Sequence, residues 1–399
     1  MGTHPHRADA AGKVELAAVF ARHGAAFRAR HRLSAVQQRA MRAIEACRTE
    51  ALGGHLERCE ACGGLRYSYH SCRNRHCPKC QTLAKERWLA ARRAELLPVP
   101  YFHVVFTLPH ELNPLAQGNP RVVYRLLFAA ASATLIEFGE NPRWLGGRIG
   151  LTMVLHTWGQ TLTQHLHVHC LVSGGALAPD GQWVNPRGGF LFPVKALSQV
   201  FRGKFLAALQ RAFDAGALAL AGSTATLANA RERAALFAAL RAQSWVLYAK
   251  RPFTGPEAVL QYLSRYTHRI ALTNNRLVSL SETEVRFRYK DYAHSNRRKV
   301  MTLEPAEFIR RFLLHVLPRG FMRIRHYGLL ANRAKRHPLA QARAALDAPP
   351  PQSVPAAPET IEAFWLRIAH LDIHQCPHCR SATLRRIGTL TPRAHGPPP

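Results

Sequence analysis

Acidic residues are scarce in this 399-residue chain: 24 Asp and Glu stand against 55 Lys and Arg, a formal net charge of +31. The imbalance runs along most of the sequence rather than sitting in one tail, and arginine, whose planar fork suits phosphate, dominates it. Nucleic acid is the partner this charge favours, with an acidic membrane surface as the weaker alternative. Long apolar runs are missing too. The longest uncharged stretch, 149–179, holds four histidines and several turn residues, which argues against a membrane span. The first thirteen residues lack the apolar core of an export signal, so a reducing, bacterial-type cytoplasm, close to the nucleoid, is the expected location. No Gly-x-x-x-x-Gly-Lys-Ser/Thr loop occurs, so no helicase or ATPase is expected within the chain. The apolar fraction, 47%, is too high for a disordered polybasic chain, and the length allows two or three domains.

Nine cysteines are present, and six crowd between residues 47 and 80. Without an export signal, that clustering reads as metal binding rather than disulfides. Cys59-x-x-Cys62 and Cys77-x-x-Cys80, 14 residues apart, match a four-cysteine zinc ribbon, in which the ion replaces a core too small to build. Cys47, His55, Cys72 and His76 form a second, interleaved set, readable as another zinc site or as ordinary packing residues. One or two structural zinc ions are therefore expected. Arg66, Arg73, Arg75, Lys79, Lys85 and Arg87, interleaved with Tyr67 and Tyr69, suit a nucleic-acid surface as well as a solvated face. The late Cys376-Pro-His-Cys379 is half a zinc site; His370 and His374 are candidates to complete it, and a redox pair or plain tail fits equally.

The stretch Gln164-His-Leu-His-Val-His-Cys-Leu-Val172 is apolar and β-prone, so alternation puts His165, His167 and His169 on one face. Neighbouring imidazoles at that spacing are a ready pair of metal ligands, or simply a histidine-rich exposed strand. Downstream, Tyr262 and Tyr266 in Gln261-Tyr-Leu-Ser-Arg-Tyr-Thr-His-Arg269 fall one helical turn apart, about 6 Å along the axis. Two phenols so placed suit either two successive attacks on phosphodiesters or a pair of core aromatics. Phenols are weak nucleophiles at neutral pH and need a base or a metal-polarised phosphate.

Periodicity predicts helices over 14–50, 82–97, 121–138, most of 194–247, 256–268 and the region from 305, and strands over 101–108, 149–156, the histidine stretch, 276–280 and 285–289. A Pro/Ala-rich linker is expected over 347–358. The domain plan is a helical segment (1–46), a zinc-binding domain (47–98), a catalytic domain (99–345) and a linker with tail (346–399).

In combination these motifs resemble the two-tyrosine HUH transposases of rolling-circle insertion sequences, the insertion-sequence-91-like group. The likeness spans about 15–335 and rests on Cys47-Arg-Thr-Glu-Ala-Leu-Gly-Gly-His55, Ser71-Cys-Arg-Asn-Arg-His-Cys-Pro-Lys-Cys-Gln81, His167-Val-His-Cys-Leu-Val172, Tyr262-Leu-Ser-Arg-Tyr-Thr-His-Arg269 and Tyr289-Lys-Asp-Tyr292. The family often has proline where Leu166 stands, which leaves the histidine pair intact. The resemblance implies an α+β fold: an HUH-type central antiparallel sheet flanked by helices, behind a small helical and zinc-ribbon N-terminal domain. It implies Mg²⁺ or Mn²⁺ on His167 and His169, with Gln160 as the preferred third ligand, His165 second and His156 third. Tyr262 or Tyr266 would attack single-stranded DNA at element ends to give a 5′-phosphotyrosine, and Arg265, Arg269 and Lys290, with Arg73 and Arg75 of the zinc segment, would contact DNA. Partners would be transposon-end and target DNA, host helicase and replication factors, and a second copy in a homodimer, with no membrane. An Asp-Asp-Glu transposase is disfavoured by the few acidic residues near the histidines. The rivals are a replication initiator or relaxase-type nickase and a non-catalytic zinc-dependent DNA-binding protein.

Overall fold

A computed structural model describes residues 14–253, 258–259, 262, 271–292, 294–333, 335–349, 359–370 and 372–392. The described chain forms two compact units, and neither is continuous in sequence: Met1–Arg87 joins His268–Val316 and Ser353–Pro399, while Trp88–Thr267 joins Leu317–Gln352.

The second unit is built on a five-stranded sheet in the order Ile324–Gly328, Gly150–Trp158, Gln164–Ser173, Tyr101–Thr107, Leu247–Phe253, with every neighbouring pair antiparallel. The histidine strand occupies the centre. Its alternation sorts the two faces: Leu166, Val168, Cys170 and Val172 are fully buried beside Phe102, Val104 and Phe106 on one side and Leu151, Met153 and Leu155 on the other. The intervening residues, His165, His167 and His169, point to the opposite face. Helices Pro120–Glu140 and Val194–Asp214 cover the apolar face with Leu127, Phe128, Leu135, Phe201, Phe205 and Leu209. The first of these is long and apolar enough to cross a membrane, but its apolar residues are spent on this core. The architecture is the expected α+β arrangement, a central antiparallel sheet flanked by helices.

Residues 194–247 are mostly helical, as expected, in two helices, Val194–Asp214 and Ala230–Ala242. Between them Gly216 and Gly222 take left-handed φ of 61° and 57° and a 3₁₀ segment Gly222–Ala228 intervenes, and the strand Leu247–Phe253 follows the second helix. The basic region after Pro305 likewise contains a strand, Ile324–Gly328, between helices Pro305–Leu313 and Arg336–Ala345.

In the first unit the N-terminal periodicity resolves into two helices, Leu16–Arg30 and Ala35–Glu45. Ser34 starts the second through a capping box: its hydroxyl accepts from the Gln37 N–H while Gln37 Oε1 accepts from the Ser34 N–H. Phe20 meets Phe312 edge to face at 5.4 Å, so the first helix packs on Pro305–Leu313. A three-stranded meander (Leu277–Leu280, Val285–Asp291, Arg297–Leu303) packs Phe287 on Phe308 at 5.8 Å. A second three-stranded sheet places the hairpin Gly54–Cys59/Leu65–Tyr69 beside Leu384–Leu390, a strand from the far end of the chain.

Candidate active site and cysteine clusters

Antiparallel register sets His156 directly opposite His167, and His169 opposite Val154. Directly opposed residues share a face, so three imidazoles from two strands converge. Their donor atoms lie within 4.8 Å of one another. His167 Nδ1 sits 2.9 Å from the His165 carbonyl, so it carries the proton and donates, which leaves Nε2 as a lone-pair donor. His167 Nε2 and His169 Nε2 are 3.1 Å apart. Adjacent nitrogens of an octahedral site with metal–ligand bonds of about 2.1 Å would stand roughly 3.0 Å apart, so the pair fits one divalent ion. Burial first, then the neighbouring His169, holds His167 well below the usual imidazole pKa; burial and then His103 do the same for His169. Both are neutral at physiological pH, the form a metal needs.

The third imidazole of this group is His156. Gln160, the third ligand expected from sequence, lies in the turn that follows Gly150–Trp158; among the histidines, His165 is the exposed member of its strand and lies outside the converging set. A shared face alone does not bring donors together; His156 arrives by cross-strand register.

The neighbouring strand adds a residue that sequence reading passed over. His103, 3% exposed, places Nε2 2.8 Å from His169 Nδ1, and its two ring nitrogens lie 3.0 and 3.1 Å from the Tyr262 hydroxyl. The Tyr262 ring packs between His103 and Phe253, each at 4.7 Å. Burial, then the charge of Lys250, pushes the His103 pKa down to about 3. Its position in Tyr101-Phe-His-Val-Val-Phe-Thr107, opposite Leu171 of the histidine strand, is the signal that could have found it. Lys250 opposes His103 and Tyr248 opposes Val105, so an exposed cation and an exposed ring continue this face onto the edge strand, with the ammonium 6.0 Å from the ring centroid. Tyr266, Arg265 and Arg269 lie outside the described residues. Lys290 belongs to the meander of the first unit, where its ammonium stands 5.3 Å over the Tyr292 ring.

The cysteines divide differently from the expected ribbon. Cys47, Cys72, Cys77 and Cys80 form one group, with Cys47–Cys80 and Cys72–Cys80 sulfur distances of 3.5 and 3.6 Å. Zn–S bonds of about 2.3 Å give a tetrahedral edge of roughly 3.8 Å, which these distances approach. Hydrogen bonds between the thiols hold Cys47 down at about 7 and draw Cys80 down further, while Cys72 and Cys77 are driven up. Cys59 and Cys62 do not share a centre with Cys77 and Cys80. They sit at the closed end of the hairpin, whereas Cys47 and Cys72 flank its open end, where Gly54 pairs with Tyr69. Five residues of strand separate the ends by on the order of 15 Å. Instead Cys59 and Cys62 group with Cys376 and Cys379. His55 packs edge to face on His70 at 4.9 Å and His76 Nδ1 lies 3.2 Å from Asn74 Oδ1; neither belongs to a cysteine group. Arg73 is exposed with a left-handed φ of 53°, and Arg75 is half-buried, its pKa lowered by burial.

Comparison with known proteins identifies the family. Residues 150–337 match a family model described as "Putative transposase", and residues 19–108 match one described as a transposase zinc-binding domain. The chain is 50% identical over 380 residues to "Putative transposase y4qJ" of Sinorhizobium fredii (strain NBRC 101917 / NGR234), covering 94% of each chain. It is 29% identical over 295 residues to the transposase for insertion sequence element IS801 of Pseudomonas savastanoi pv. phaseolicola, covering 72% of this chain and 68% of that one. Among solved structures, conjugative relaxase TrwC in complex with mutant OriT DNA aligns at 15% identity over 40% of this chain and 70% of that one, with a TM-score of 0.24, too low to carry weight. The chain belongs to the insertion-sequence-91-like transposases and carries that family's N-terminal zinc-binding domain.

Proposed function

We propose that the protein moves an insertion element by nicking and rejoining single-stranded DNA in a rolling-circle manner, with Tyr262 as a nucleophile beside a divalent ion on His156, His167 and His169. The observation that carries this is the continuous chain from the Tyr262 hydroxyl through His103 to His169 and His167. An ion bound by the three imidazoles would polarise the scissile phosphate and orient it for in-line attack.

The protein's own groups do the rest. The Tyr262 oxygen forms a bond to phosphorus as the P–O3′ bond breaks, leaving a 5′-phosphotyrosine and a 3′-hydroxyl. The proton lost by the phenol balances the one taken up by the 3′ oxygen. His103, with its pKa near 3, is a poor proton acceptor at neutral pH and acts by orienting the phenol. Tyr266, four residues further along the sequence, is the candidate second nucleophile for rejoining. Lys250 and Tyr248 supply a cation and a stacking surface on the same sheet face, suited to a single strand. Arg265, Arg269, Lys290, Arg73 and Arg75 remain proposed DNA contacts. Cys47, Cys72, Cys77 and Cys80 are assigned the zinc of the N-terminal domain. Imidazole-rich ligation favours Mn²⁺ over Mg²⁺ in affinity.

The test is incubation of labelled single-stranded element ends with Mn²⁺ or Mg²⁺, beside chelator controls and the variants Tyr262→Phe, Tyr266→Phe and His167→Ala. A covalent protein–DNA adduct that needs metal, His167 and a tyrosine is expected. Failure of any end sequence to yield an adduct would leave the non-catalytic DNA-binding reading standing.

A further inference from the structure

We propose that Cys59, Cys62, Cys376 and Cys379 hold a second zinc ion, which staples the C-terminal segment to the N-terminal hairpin. Two pairs from opposite ends of the chain, 314 residues apart for Cys62 and Cys376, meet with all four sulfurs within 4.8 Å. Cys59–Cys379 and Cys62–Cys376 stand at 3.6 and 3.7 Å. A disulfide requires about 2.05 Å, whereas the edge of a zinc–thiolate tetrahedron is roughly 3.8 Å, so the spacing is that of ligands around a shared ion.

The backbone around each pair is the same turn. The Cys59 N–H donates to the Gly64 carbonyl and the Gly63 N–H to the Cys59 carbonyl; the Cys376 N–H donates to the Ser381 carbonyl and the Arg380 N–H to the Cys376 carbonyl. The fourth residue after the first cysteine is left-handed in both, Gly63 at φ 69° and Arg380 at φ 61°. Glycine takes that conformation freely, but arginine takes it against its preference. The second knuckle thus repeats the first in spite of its sequence. The His378 N–H points at Cys376 Sγ at 3.4 Å, an arrangement that supports a thiolate.

The tail is held in register by more than the cysteines. Leu384–Leu390 pairs antiparallel with Gly54–Cys59, Cys59 opposes Leu384, and the Glu60 N–H donates to the Thr383 carbonyl at 3.0 Å. Arg48 lies over the Trp365 ring at 5.9 Å, tying the helix Ile361–Ala369 to the same region. The matched zinc-binding segment, 19–108, contains only Cys59 and Cys62 of this set, so the site is complete only when the tail folds back.

Metal analysis of the full-length protein tests the assignment. Two zinc ions per chain are expected in the wild type. One is expected in Cys376→Ser/Cys379→Ser and in Cys59→Ser/Cys62→Ser, with the other retained because Cys47, Cys72, Cys77 and Cys80 are untouched. A second measurement needs no variant. Cys62 and Cys379 are exposed thiols, so in native wild-type protein they should resist iodoacetamide until a strong chelator is added, and then react together with Cys376. One zinc in the wild type, two zincs in the tail variant, or rapid alkylation of Cys62 and Cys379 without chelator would overturn the proposal. So would Cys59–Cys379 or Cys62–Cys376 disulfides in the native protein.

Discussion

The Tyr262 hydroxyl lies 3.0 Å from Nδ1 of His103, a buried histidine whose Nε2 stands 2.8 Å from Nδ1 of His169. The proposed nucleophile and the proposed metal ligands are therefore joined by one imidazole that need not touch DNA or metal. Histidines that bind a metal through one nitrogen are usually fixed through the other, and such supports are worth about 10- to 100-fold in metal affinity or activity.

His103→Ala should therefore cut single-strand cleavage by about 10- to 100-fold and weaken Mn²⁺ binding, while leaving the far-ultraviolet circular dichroism unchanged. His103→Asn, which retains one donor and one acceptor, should recover part of the loss. Cleavage rates and Mn²⁺ titrations check this; unchanged rates in His103→Ala would remove the residue from the site.

The same burial makes stability depend on pH. His103 has a folded pKa near 3 against about 6.5 in the unfolded chain. Below pH 6.5 the unfolded state takes up the proton first, so stability is complete above that pH and is lost as pH falls toward 3. The slope is about 1.4 kcal/mol per pH unit from this group alone. His167 and His169, also depressed by burial, steepen it. Urea unfolding of metal-free protein at pH 7, 6, 5 and 4 should show midpoints that decline below pH 6.5, with a shallower decline in His103→Asn.

How much of this was visible beforehand depends on the range of each interaction. The histidine strand was legible because alternation is local: Leu166, Val168 and Cys170 inward, His165 and His167 outward. The zinc segment was legible as a segment because two knuckles announce themselves. Their partners were not. Whether Cys59 joins Cys77 or Cys379 is decided by which end of a hairpin each occupies and by a strand, Leu384–Leu390, recruited from the far end of the chain. In the same way His156 enters by register with His167, and His103 by register with Leu171. Long-range pairing leaves no local trace in a single sequence.

Tyr248 and Lys250 give a prediction that separates binding from chemistry. Both are exposed on the edge strand, on the face shared with His103. Tyr248→Ala should weaken single-stranded DNA binding by about 1–3 kcal/mol, the usual value of one base–aromatic stack. Lys250→Ala should lower the salt dependence of binding by about one ion, since one phosphate contact releases one counterion. Fluorescence anisotropy over a salt series measures both. Equal affinity and an equal salt slope in the two variants would move the DNA path elsewhere.

The most direct test of the central claim is to trap the covalent intermediate on a single-stranded element end and map the modified residue by mass spectrometry. The account predicts a phosphotyrosyl–nucleotide peptide at Tyr262 in the wild type and in Tyr266→Phe, lost in Tyr262→Phe. An adduct found on another residue, or one that persists in the Tyr262→Phe/Tyr266→Phe double variant, would contradict it.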